Sequence, residues 1–312
     1  MKTNRIASAL LVATISSSGL AIGSYATAQT ENIAGQAQVI VTVNANQSKS
    51  PAPLQQGDIT VKVKGRPAAV ESVAAINDAT EPTQLVFMFD ESARSYLGLQ
   101  FPDLRKFIMA LPASTSVAVA YMSNGRAVIA QKLTADHKLA ADSLRLTNGI
   151  PGITGSPYFC LSDLAKNWPS QEKARRVVFM VTNGEDPYYR SRDMQDPYLA
   201  AAIQDSQKAR LLVYSIYFRN TFGGGSTSFS TLMGQSYLQR LANETGGQFY
   251  SMAMSSPVSF EPFLKQFKQS LGRQYVLTFA VGNTGWQRVQ VQSKARGLKL
   301  TAPQAIYVEK NS

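Results

Sequence analysis

The chain has 312 residues, with 31 Lys and Arg against 20 Asp and Glu, one cysteine and one histidine. The lone Cys160 excludes an intramolecular disulfide and a cysteine-based zinc cluster, and the lone His137 leaves no Ser-His-Asp or Cys-His site except around itself. A formal charge of +11 favours contact with acidic surfaces such as anionic glycans, lipid headgroups or acidic proteins, while the dispersal of Lys and Arg argues against nucleic acid.

Residues 1–28 read as an export signal. Lys2 and Arg5 precede a run of apolar and small residues from Ile6 to about Ile22, and Ala26-Thr27-Ala28 has the form of a cleavage site. Its removal leaves a charge of +9, because Lys2 and Arg5 go and no acid goes with them. No later stretch approaches the ~20 apolar residues of a membrane helix, so no transmembrane segment is expected in the mature chain. The predicted location is periplasmic or extracellular.

Residues 29–82 form an N-terminal β segment. Residues 37–43 and Ile59–Val63 alternate as strands, Gly65-Arg66-Pro67 reads as a turn, and Val70–Ile76 is a third strand. From residue 83 to 273 the pattern becomes α/β. Leu85–Phe89, Val117–Tyr121, Val177–Val181 and Leu211–Tyr217 are apolar runs of the kind buried on both faces of a parallel sheet. Ser123-Asn124-Gly125 turns the chain into a strand at Ala127–Ile129. Helices are predicted at Pro102–Leu111, Ala135–Leu144, Leu161–Trp168, Pro197–Lys208, Ser230–Glu244 and Phe260–Leu271, and Gln248–Tyr250 is a short edge strand. Cys160 reads as a buried inert thiol and His137 as a solvated residue at a helix start. Residues 274–312 return to β structure, with Gln274–Ala280 and Gln287–Gln292 around an Asn283-Thr284-Gly285 turn, then Leu298–Thr301 and Ala305–Val308. The predicted fold class is α/β, with a doubly wound, mostly parallel sheet. The two flanking β segments, each marginal alone, are expected to pair into one β-sandwich.

Ligands of open α/β sheets bind beyond the carboxyl ends of the strands. Here that rim consists of loops 90–95, 152–158, 183–195 and 219–229. Asp90 and Ser92 follow the first apolar strand, Thr154 lies in a glycine-flanked loop with Ser156 as a neighbouring candidate, and Thr182-Asn183-Gly184-Glu185-Asp186 follows the third. Oxygen ligands from three loops suit a divalent cation. Simple turn chemistry is the other reading, because Asp, Ser and Gly are common where a strand turns into a helix.

The strand ending in Asp-x-Ser, the distant Thr154 and the strand ending in Thr-x-Gly resemble the von Willebrand factor A (VWA) domain, over roughly residues 83–272. Gln56-Gly57-Asp58-Ile59 before this region and Tyr275-Val276-Leu277-Thr278-Phe279 after it resemble exported bacterial VWFA-related proteins. The resemblance implies a Rossmann-like fold and a metal-ion-dependent adhesion site using Asp90, Ser92 and Thr154. Two residues depart from the family's pattern. Arg94 stands in place of its second serine, and Asn183 in place of its distal aspartate. A permanent guanidinium and a lost carboxylate predict no cofactor, or a weakly held Mg²⁺ or Mn²⁺ that Glu185 or Asp186 could support.

The expected function is recognition of a protein or anionic glycan partner, with Arg94, Asn183, Glu185, Asp186, Tyr188, Tyr189 and Arg190 as contact residues. Tyr188, Tyr189, Arg190 and Arg192 form an aromatic-basic cluster of the kind enriched at interfaces. The alternatives are a structural envelope component with no ligand at the site, and a metal-assisted hydrolase. The last lacks a histidine base and a full metal ligand set, so no catalytic residue is assigned.

Overall fold

The computed structural model describes residues 35–44, 53–93, 95–150, 152–189, 195–219, 228–252, 257–295 and 297–310. Residues 1–28, read above as an export signal, and Arg94, Arg190, Arg192 and most of loop 219–229 lie outside the described residues.

The chain begins with β1 (Gly35–Asn44), β2 (Ile59–Val63), β3 (Arg66–Ala68) and β4 (Val70–Ala75). The expected turn at Gly65-Arg66-Pro67 lies one residue earlier. Lys64 and Gly65 take φ of 48° and 78°, a two-residue hairpin turn, and Arg66 and Pro67 already belong to β3.

The α/β part opens with β5 (Thr83–Asp90), in which every residue is buried. It continues through α1 (Phe101–Met109), the hairpin of β6 (Thr115–Ser123) and β7 (Arg126–Thr134), α2 (His137–Asp142) and α3 (Pro157–Lys166). Then come β8 (Arg175–Thr182), α4 (Pro197–Lys208), β9 (Leu211–Tyr217), α5 (Ser228–Thr245), β10 (Phe249–Tyr250) and α6 (Glu261–Leu271). Helix α3 starts four residues before the expected Leu161. The Ser156 hydroxyl accepts from Tyr158 N and Pro157 occupies the first turn, a cap that favours nucleation there.

The six strands order as β10-β9-β8-β5-β6-β7, parallel except for β6 with β7. The apolar run of β5 splits between two cores, as strand alternation requires. Leu85, Phe87 and Phe89 face α1 and α6, while Val86 and Met88 face α3, α4 and α5. His137 does start α2, but its Nε2 lies 2.8 Å from the Thr115 carbonyl, so it is tied to β6. Cys160 is buried, and burial pushes its thiol up, away from the reactive thiolate.

After α6 come β11 (Gln274–Val281), β12 (Gly285–Ser293), β13 (Lys299–Thr301) and β14 (Ala305–Val308). The two chain ends interleave into four-stranded sheets of order β13-β1-β11-β4 and β14-β12-β2-β3. β1 runs antiparallel to β11 from Gly35↔Val281 to Thr42↔Gln274. Val39, Val41, Leu277 and Phe279 of one sheet enclose a core with Ile59, Val61, Val289 and Ile306 of the other. The Asn283–Gly285 turn carries the chain from one sheet to the other instead of closing a hairpin, because β11 and β12 belong to different sheets.

The sandwich meets the α/β part at a buried polar junction. Arg175, 1% exposed, donates to Asp78 Oδ1 at 2.6 Å, Gln274 Oε1 at 2.8 Å, the Leu271 carbonyl at 3.1 Å and the Thr83 hydroxyl. Gln274 in turn donates to Thr42 and Tyr214.

Candidate functional site

β5 and β8 are adjacent, yet the chain leaves them toward opposite edges of the sheet. Their carboxyl ends are the crevice where α/β sheets bind ligands. Asp90 ends β5, and Thr182 ends β8.

Asp90 is 1% exposed and accepts four hydrogen bonds. Its Oδ1 receives Ser92 N at 2.9 Å, Ser92 Oγ at 2.6 Å and the Thr154 hydroxyl. Its Oδ2 receives Thr182 Oγ1 at 2.7 Å. Asp90, Ser92 and Thr154 are therefore brought together from two separate loops, and Thr182 adds a third hydroxyl. Sequence reasoning missed Thr182. A strand-end threonine is visible in the sequence, but that it lies level with Asp90 follows only from the pairing of β8 with β5.

The remaining rim residues are held in distinct ways. Asn183 is half-buried, and its Oδ1 accepts from Glu185 N at 3.0 Å. Asp186 is 8% exposed, with Oδ2 receiving Ser156 Oγ at 2.6 Å and Oδ1 receiving Tyr188 N at 2.8 Å. Its Oδ2 thus fastens one loop to another while its Oδ1 closes a turn within its own loop, and Ser156 serves Asp186 where Thr154 serves Asp90. Glu185 and Tyr189 are half-buried. Tyr188 is 62% exposed and its ring lies 5.4 Å from that of Phe159. The β8 loop passes so close to α5 that a Cβ on Gly184 would come within 2.5 Å of the Gly234 carbonyl. Gly184 also has φ of 69°, which suits glycine. Buried Tyr158 donates to the Gly184 carbonyl at 2.6 Å, and desolvation pushes its phenol up, with Asp196 and Asp186 adding to the effect.

Glu91 is a second residue that sequence reasoning missed. It is 2% exposed and pairs with Arg145, whose guanidinium lies 3.8 Å from the Tyr121 ring centroid. Glu91 also accepts from Asn148 N at 2.8 Å, and its carbonyl accepts from Gly149 N at 2.9 Å. This latch holds the segment that leads into Thr154.

The site offers a divalent ion one carboxylate and three hydroxyls. That carboxylate already takes four donors, and no group of three or more His, Cys, Asp or Glu is gathered among the described residues. Mg²⁺ is commonly held through one or two carboxylates with waters completing its shell, and here the single carboxylate is already engaged by internal donors.

No family model and no curated protein matches the chain. Among solved structures it is similar to an aerotolerance-related membrane protein from Bacteroides fragilis, at 14% identity and TM-score 0.43 over 61% of this chain and 98% of that one. It is similar to the conserved hypothetical protein BatB from Bacteroides thetaiotaomicron, at 13% identity and TM-score 0.42 over 61% and 97%. It is also similar to proximal thread matrix protein 1 of the mussel byssus, solved with a zinc-occupied MIDAS motif, at 18% identity and TM-score 0.42; the match covers 65% of this chain and 49% of that one. The architecture itself rests on strand order and register: a mostly parallel six-stranded sheet between helices, flanked by two antiparallel sheets.

Proposed function

We propose that this chain is an exported, non-catalytic binding module of VWA type that recognises a protein or glycan partner through the rim around Asp90. The observation that supports the reading is the Asp90 cluster: a buried carboxylate at the sheet's switch point, held by hydroxyls from three segments. The order of Asp90, Ser92, Thr154 and Asn183 along the chain supports the VWA assignment, and residues 1–28 support export. The hydroxyls of Ser92, Thr154 and Thr182 spend their protons on Asp90. Three hydroxyls and a backbone N–H converging on one carboxylate support a loop-fixing role for the cluster.

In this reading the site works without a metal, and Arg94 meets a partner carboxylate by a bidentate pair. A structural envelope role with no ligand is the second reading. It is favoured by the fact that both Asp90 oxygens are satisfied within the protein. Capture from envelope extracts separates the two. A partner retained by the native chain and lost on Arg94→Ala supports rim recognition. Equal capture by both chains, or by neither, supports the structural role.

A further inference from the structure

The sandwich carries a second surface, remote from Asp90 in sequence and topology, whose chemistry points to a ligand. Along β12 the buried Gln287 and Val289 alternate with exposed Trp286, Arg288, Gln290 and Gln292. Antiparallel register sets Tyr307 opposite Trp286 and Lys62 opposite Gln290 on the same outward face. The Trp286 and Tyr307 rings meet edge to face at 5.4 Å, and Lys208 Nζ of α4 lies 4.9 Å from the Tyr307 ring centroid. Trp286 nevertheless stays 38% exposed. Among the described residues, the side chains of Arg288, Gln290 and Gln292 make no hydrogen bond or ion pair. No acid occupies an outward paired position of the sheet; Asp58 and Glu309 lie just before β2 and just after β14.

We propose that this face is a binding platform for an acidic polysaccharide. An exposed indole offers its face to the C–H groups of a sugar ring. The amides of Gln290 and Gln292 can each donate to and accept from ring hydroxyls. Arg288 and Lys62 meet carboxylate or sulfate groups, Arg288 in bidentate fashion. The row from Trp286 to Gln292 spans about 20 Å at ~3.4 Å per residue, long enough for a short oligosaccharide. Apart from the one aromatic pair the row is polar, which suits a sugar chain better than a lipid surface or an apolar protein anchor.

The test uses the whole mature chain in native gels cast with polygalacturonate, with dextran as the neutral control and polyglutamate as the sugar-free polyanion. Retardation by polygalacturonate, well beyond that by dextran or polyglutamate, is expected. Trp286→Ala and Arg288→Gln should each weaken it by about 10-fold, while Lys132→Gln, which removes an exposed charge from the distant edge strand β7, should leave it unchanged. Gln290→Glu, an exposed mid-strand change, should weaken it too, and it gives the same reading if Trp286→Ala fails to fold. Three results overturn the proposal: no retardation, retardation indifferent to these variants, or equal retardation by polyglutamate. Flotation with phosphatidylglycerol vesicles, lost in the same variants without any response to polygalacturonate, would assign the face to a membrane surface instead and overturn it as well.

Discussion

Two buried charges lie at opposite ends of the central sheet. Arg175 opens β8, Asp90 closes β5, and each is 1% exposed. Arg175 has a counter-ion in Asp78 and spends its remaining donors on Thr83, Gln274 and the Leu271 carbonyl, groups that tie the sandwich to the α/β part. Asp90 has no cation within ion-pair distance among the described residues, and only neutral donors surround it. Among the described residues the lower charge is balanced by an opposite charge, whereas the upper one is held by neutral donors alone, with Arg94 of the same loop outside the described residues. Charge balance therefore separates a structural junction from a candidate recognition site, although burial is the same for both.

The largest effect is expected at the junction. Arg175→Met leaves Asp78 and Gln274 without their partner and should lower stability by about 3 kcal/mol in urea unfolding. Asp90→Ala strands three hydroxyls but also removes a buried charge, so a smaller loss of about 1–2 kcal/mol is expected. A loss equal to that of Arg175→Met would break the contrast and make both charges scaffolding. Calorimetric titration with Mg²⁺ and Mn²⁺ should give no micromolar binding; an Asp90-dependent micromolar signal would falsify the metal-free reading.

The smallest effect concerns Asp196, whose Oδ1 caps α4 by accepting from Tyr198 N and Leu199 N while its Oδ2 is buried and unpaired. Burial raises its carboxyl above 3.8. The folded state then holds this proton more tightly than the unfolded chain does. The group accordingly costs stability as pH rises above 3.8 through its raised value, and costs nothing below that window. Asp196→Asn keeps a capping oxygen. It should be more stable than the native chain at neutral pH, with the difference vanishing in acid.

Much of the fold was legible because burial on both faces leaves a plain mark. The apolar runs in β5, β8 and β9 have strand length and are rich in β-branched and aromatic residues, which marks them as inner strands, and α4 carries its own Asp-Pro start. Local exceptions were harder to read. Lys64 adopts a positive φ that its residue type does not advertise, so the turn was placed one residue late. The partition of β11 and β12 between sheets depends on pairing with strands more than 200 residues away. At the site, Asp90, Ser92 and Thr154 could be found from their order along the chain. Thr182 and Glu91 could not be assigned without knowing which loops lie side by side.

The interleaving of the chain ends has a consequence for assembly. β1 cannot find its partner until β11 has been synthesised, more than 230 residues later, and closing so long a loop is slow. The α/β part has mainly short-range connections and can form first, leaving β1 to β4 with open edges and an uncovered apolar face. Such a chain is prone to aggregation until its C-terminal strands arrive. A block in translation near residue 274 should therefore leave a core that is folded but adhesive.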